Sequence, residues 1–189
     1  DIFDTEAFNA NPMAMYVVCT DVDTGRAVYH RCDEASPATY DWIRASASMP
    51  MAAKMVKLDG RRLLDGGVAD SIPLAFMEGK GYGRNVVVLT QPEGFVKQPS
   101  PLQPLLDVCM RRHPRFVEAM HRRPAMYNAE LALVAERERQ GRAFVFRPDA
   151  KLPINHISHS PEMLMRTYEL GRKVAHERMA ALRAFMAGE

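Results

Sequence analysis

No stretch of the 189-residue chain holds about 18 consecutive apolar residues, so no helical membrane span is expected. No charge sign dominates either. Lys and Arg number 25 against 23 Asp and Glu, a formal net charge of +2, which gives no general argument for binding nucleic acid. Cysteine is scarce: Cys19, Cys32 and Cys109 are odd in number and lack the spacing of a disulfide framework. They read as reduced thiols and point to the cytoplasm. A glycine-rich phosphate loop is missing, since "GKGYG" lacks the Walker spacing and reads as a turn. His156 and His159 stand three apart in "HISH", but nothing nearby completes a metal set, and Pro153 argues for a loop. Neither metal nor cofactor is expected. The start, "DIFDTEAFNANP", is neither Met-initiated nor built like a signal peptide, and reads as a cut into a longer chain. Internal repeats and low-complexity tracts are absent.

What is present can bury one good core. Hydrophobic residues make up 47% of the chain, enough for one domain or slightly more. After Pro12, "MAMYVVCTDVDTGRAVYH" reads as two strands joined at Asp23-Thr24-Gly25. "SPATYDWIRASASMP" is helical in its middle and stopped by Pro50. "AKMVKLDGRRLLDGG" supplies a second strand pair, and residues 72–79 suit a short helix ended by glycine. "NVVVLTQP" offers an uninterrupted apolar run, suited to a strand covered on both faces as in a parallel sheet. This alternation predicts an α/β layer structure.

Beyond "PEGFVKQPSP" the pattern turns helical, with breaks expected at Pro114 and Pro124, an end at Gly141 and one strand, "AFVFRP". Ser160-Pro161 opens a long last helix, Ser as N-cap and Pro at the first helical position. Its Leu164, Tyr168, Ala175, Met179, Leu182 and Met186 recur at three-to-four spacing, which predicts one buried stripe. The basic stretch "MRRHPRFVEAMHRRP" suits either anionic lipid head groups or a solvated face with acidic partners. The expected division is residues 1–98 and a mainly helical region, residues 99–189.

Two Asp-Gly pairs lie close together. Asp59-Gly60 sits between "KMVKL" and "RRLL", where a two-residue hairpin needs residues that tolerate positive φ. Asp65-Gly66 is different, because "LLDGGVADSIPL" runs from a strand into a Gly-Gly pair and on towards a helix. An aspartate at the carboxyl end of a strand, followed by glycines that admit another backbone, is well placed for α/β-sheet chemistry. The same residues also make an ordinary turn.

Taken in order, "IRASASMP", a variable strand pair and "LLDGGVADSIPL" resemble the second half of the patatin-like phospholipase catalytic domain. There an Arg-Ala-Ser-x-x-x-Pro helix end precedes an Asp-Gly-Gly/Ala motif. The likeness runs through "YVVCTDVDTGRAVYH" before and "NVVVLTQP" after, and residues 100–189 resemble, more loosely, the helical C-terminal region of a bacterial subgroup. The resemblance implies the C-terminal part of a three-layer α/β/α fold with a mostly parallel sheet. It also implies a serine–aspartate dyad acting on lipid acyl esters, with Asp65 the one catalytic residue that maps onto this chain. Here the aspartate accepts the serine proton with no histidine between them.

The family's serine sits in a Gly-x-Ser-x-Gly elbow behind a glycine-rich oxyanion loop, and neither motif occurs here. Ser46 and Ser48 lie in "RASASMP" and read as structural. The chain alone thus lacks the nucleophile, and both missing parts are expected to precede Asp1. Implied partners are a lipid or other acyl-ester substrate and peripheral contact with a membrane, but no nucleic acid. Preceding segments of the same protein, or a second copy in a homo-oligomer, are expected to cover "NVVVL". Two other readings compete: a non-catalytic interaction module on the same scaffold, and a Ser-His-Asp hydrolase joining Asp65 to His156 or His159.

Overall fold

A computed structural model describes residues 3–154 and 160–188, so His156 and His159 lie outside the described residues. In chain order the elements are helix α1 (Thr5–Ala10), strands β1 (Met15–Asp21) and β2 (Arg26–Cys32), and helix α2 (Pro37–Ser46). Strands β3 (Val56–Leu58) and β4 (Arg61–Asp65), helix α3 (Leu74–Gly79) and strand β5 (Asn85–Val88) follow. Helices α4 (Gln103–Cys109) and α5 (Pro114–Arg139), strand β6 (Ala143–Phe146) and helix α6 (Pro161–Ala187) complete the chain. The fold is of the α/β class that the alternation predicts. Two compact units emerge, one of residues up to Pro73 with Lys97–Ala129, the other of Leu74–Val96 with residues from Glu130 onward.

The first unit is built on an antiparallel sheet of order β2-β1-β4-β3. Asp21 pairs with Arg26, so the first hairpin turns where Asp23-Thr24-Gly25 places it. Leu58 pairs with Arg61 across the second hairpin, and between them Asp59 and Gly60 have φ of 49° and 71°. Two successive positive φ angles are the mark of a type I′ turn, whose twist matches that of the strands. Asp59 is a turn residue.

Leu63 and Leu64 are neighbours on β4, and successive strand residues point to opposite faces. Both are buried, at 0% and 1% exposure, because the sheet is covered on both sides. On one face Leu63 joins Val17, Cys19 and Val56 with Trp42 and Ala45 of α2. On the other, Leu64 joins Val22 and Val68 with Leu106, Met110, Phe116 and Ala119 from α4, its C-cap and α5. Each such aliphatic or aromatic side chain contributes about 1.5–3 kcal/mol on burial. Helix, sheet and helix make three layers. Helix α2 begins near the start of its segment, with Ser36 accepting the Thr39 N–H at 3.3 Å and Pro37 as its first residue.

In the second unit β5 and β6 pair in parallel, Asn85 opposite Ala143 and Val88 opposite Phe146. Val87 and Val145 are buried, as is Val134 of α5. Among the described residues the alternate side of β5 is open, with Val88 74% exposed, although the apolar run suits a strand covered on both faces. Glu78 of α3 accepts two bonds from Arg137, at 2.6 and 3.1 Å, and lies 3.2 Å from Arg142. The Arg137 hydrogen bonds, with the charges of both arginines, hold the Glu78 carboxyl below the usual range.

Two helical expectations give way. Helix α5 runs unbroken through Pro124. A proline inside a helix removes one N–H and crowds the carbonyl four residues back, here that of Met120. The helix continues because packing anchors it on both sides of Pro124, at Phe116 and Ala119 before it and at Val134 after. Nor is the α6 stripe buried: Leu164, Tyr168 and Met186 are exposed, and only Ala175, Met179 and Leu182 are half-buried. Apolar spacing makes a helix amphipathic without supplying a surface for it to cover.

Candidate functional site

Asp65 ends β4, in register with Cys19 of β1, and caps the 3-10 turn Gly66–Val68 that follows. Three hydrogen bonds fix its place. Its backbone N–H donates to Ser48 O at 2.9 Å, and its carbonyl accepts from the Thr20 hydroxyl at 2.8 Å. Its side-chain Oδ1 accepts the Gly67 N–H at 2.7 Å. Ser48 lies just past the end of α2, buried, with its own hydroxyl donating to Arg44 O at 2.8 Å. "RASASMP" and "LLDGG" therefore belong together physically, since the helix end holds the strand that presents the aspartate.

The glycines answer a steric demand. A Cβ on Gly66 would lie 2.2 Å from Val18 O, so only glycine lets β1 pass. Gly67 O accepts two bonds, from Ser71 Oγ at 2.7 Å and from Arg123 Nε at 2.6 Å. Asp70 closes the turn with its N–H on Gly66 O at 2.9 Å, and its Oδ2 accepts the Tyr29 hydroxyl at 2.5 Å.

A cavity of about 440 Å³ opens over this turn. Asp65, Gly66, Gly67, Asp70 and Ser71 form one wall, and Tyr16, Val18, Ile43 and Ser46 are among the others. Asp65 thus makes a turn and also faces a space able to hold part of a ligand. Asp59 stands on an exposed hairpin tip instead. Cys19, directly across from Asp65, is no rival nucleophile. Burial, aided by the charge of Asp65 and by Cys32, pushes its thiol up to about 12, so it stays protonated at neutral pH.

In the second unit a separate cavity of about 400 Å³ is lined by Val88, Phe146, Leu170, Val174, Met179 and Leu182, with Arg147 its charged member. Among the described residues no group of three or more His, Cys, Asp or Glu could hold a metal ion. None of their helices is long and apolar enough to cross a membrane.

Sequence reasoning reached Asp65 and the glycines but not their supports. Ser46, read as structural, lines the Asp65 cavity. Asp70 was in view within "LLDGGVADSIPL" without a role, and Arg123 was one base among several in a basic stretch. Residues 5–77 match the family model for patatin-like phospholipase, a span that includes α2, both hairpins and Asp65. Residues 113–187 match a domain of unknown function, DUF6363. No curated protein matches the chain.

Proposed function

With a patatin-like phospholipase segment over residues 5–77 as the premise, we propose that this chain forms part of a lipid acyl hydrolase in which Asp65 is the base of a serine–aspartate dyad. The observation that carries the reading is the contrast between two Asp-Gly pairs. Asp59 occupies a solvent-exposed type I′ turn. Asp65 is half-buried, hydrogen-bonded and on the wall of a cavity.

The nucleophilic serine and the oxyanion donors lie in sequence outside this chain. As the serine oxygen attacks the ester carbonyl, its proton passes to the Asp65 carboxylate, and the carbonyl electrons move onto the oxyanion. Collapse expels the alcohol, which takes the proton from Asp65, and leaves an acyl-serine. Water then attacks the acyl carbonyl and gives its proton to Asp65, and collapse breaks the bond to the serine oxygen, which takes that proton back as the acid leaves. A carboxylate is a weak base, with a reference pKa of about 4, so a direct hydrogen bond to the serine is what makes it effective. The substrate class is a lipid acyl ester, entering the cavity over Gly66 and Gly67.

The test uses the full-length protein and turnover of a p-nitrophenyl acyl ester, with thermal melts alongside. Asp65→Asn keeps the shape and can still accept the Gly67 N–H, but cannot take a proton. A loss of about 10²–10⁴-fold in rate with an unchanged melt is expected. Asp59→Asn should be nearly silent, because Asn-Gly serves the same hairpin turn as Asp-Gly. An Asp65→Asn protein that melts normally and keeps most of its activity would leave Asp65 as a turn residue only.

A further inference from the structure

Arg123 belongs by sequence to the stretch matched to the domain of unknown function, yet it lies in the same compact unit as Asp65. Its Nε donates to Gly67 O at 2.6 Å, and Ser71 Oγ fills the other side of that oxygen at 2.7 Å. The N–H of the same glycine donates to Asp65 Oδ1 at 2.7 Å. From this geometry we propose that Arg123 is a positioning residue for Asp65: α5 fixes Gly67, and Gly67 fixes the carboxylate in the conformation that faces the cavity. The inference rests on Asp65 being the base.

Three features support it. The bond to Gly67 O comes from a charged donor, and such bonds are roughly twice as strong as neutral ones. Helix α5 is itself well seated, with Phe116 and Ala119 buried against the sheet within the two turns before Arg123. The space is also narrow. A Cβ on Gly67 would lie 3.1 Å from Asp65 Oδ1 and 3.7 Å from Arg123 Nη2, so carboxylate and guanidinium flank one glycine. Its neighbour Arg122 has no such role, being exposed and 3.6 Å from Glu118.

The other titratable groups around the turn are Cys19 and Tyr16 on β1 and Asp70 with its partner Tyr29. Lys97 also feels Arg123: burial first, and the guanidinium charge second, hold its amine below the usual range. The Arg123 guanidinium is thus a charged group held beside Gly67.

The experiment uses the full-length protein, comparing wild type with Arg123→Gln, Arg123→Lys, Arg122→Gln and Asp65→Asn for kcat and KM on the p-nitrophenyl ester, with thermal melts. Arg123→Gln should lose on the order of 10²-fold in kcat with KM little changed, as a misplaced catalytic group does. Arg123→Lys, which restores a charged donor without the planar fork, should recover part but not all of kcat. Arg122→Gln should match wild type. If Arg123→Gln melts normally and keeps kcat within about twofold while Asp65→Asn is inactive, the inference fails alone. An active Asp65→Asn sinks both readings. Should Arg123→Gln not fold, Arg123→Lys carries the test, and loss of fold in both makes Arg123 a stability residue and overturns the proposal.

Discussion

At Gly66 the site tolerates nothing larger than hydrogen. The atoms a Cβ would meet are Val18 O at 2.2 Å and Val18 C at 2.6 Å, backbone of a central strand that cannot swing aside as a side chain could. Gly66→Ala is therefore expected to cost at least the 1–3 kcal/mol or so of ordinary overpacking and to displace Asp65. Gly60 makes the comparison, with φ of 71° and nothing within 4 Å of a Cβ. Gly60→Ala should cost only the left-handed backbone penalty, about 1–2 kcal/mol. Urea melts of both variants check this, and equal losses would mean that β1 yields at Gly66. Asp65 was legible in the sequence because an Asp-Gly-Gly after a strand is a pattern of side-chain types. Its supports were not. Ser48 holds Asp65 through a carbonyl that any residue would offer. Arg123 reaches a carbonyl 56 positions away, and no local pattern announces that.

Among the elements, α5 departs most from local propensity, since Pro124 lies inside a helix of 26 residues. Pro124→Ala would restore an N–H able to reach Met120 O and remove the ring from that carbonyl. Up to about 3 kcal/mol separates proline from alanine in a helix interior, less whatever bending the helix already accepts. A raised melting temperature is the expected outcome, and a lowered one would mean that the proline shapes the helix for its packing. The hairpins were readable because their turns are decided by two to four adjacent residues. Asp59 and Gly60 take positive φ whatever packs above them. The long helices were not, because continuity through Pro124 and exposure of Leu164 depend on partners distant in sequence. The strand "NVVVL" sits between these cases. Its parallel pairing with β6 follows from its apolar run, but only Val87 of the three valines is buried.

Over the whole molecule, the two compact units draw alternately on the chain, and α5 contributes to both. Nothing in its periodicity marks where one contribution ends, because both halves show the same helical spacing. The α/β class was readable at this scale from alternation alone. The sealing of the first unit's sheet has a practical consequence for following its motions. Cys19 and Cys32 are shut inside, while Cys109 at the end of α4 meets solvent. A maleimide in excess at neutral pH should therefore take one equivalent from the folded chain and three from the denatured one. The two late equivalents cannot react until β1 and β2 part from their cover, and Cys19 lies opposite Asp65 in the register. Their rate of uptake clocks the opening of that sheet without any residue being changed.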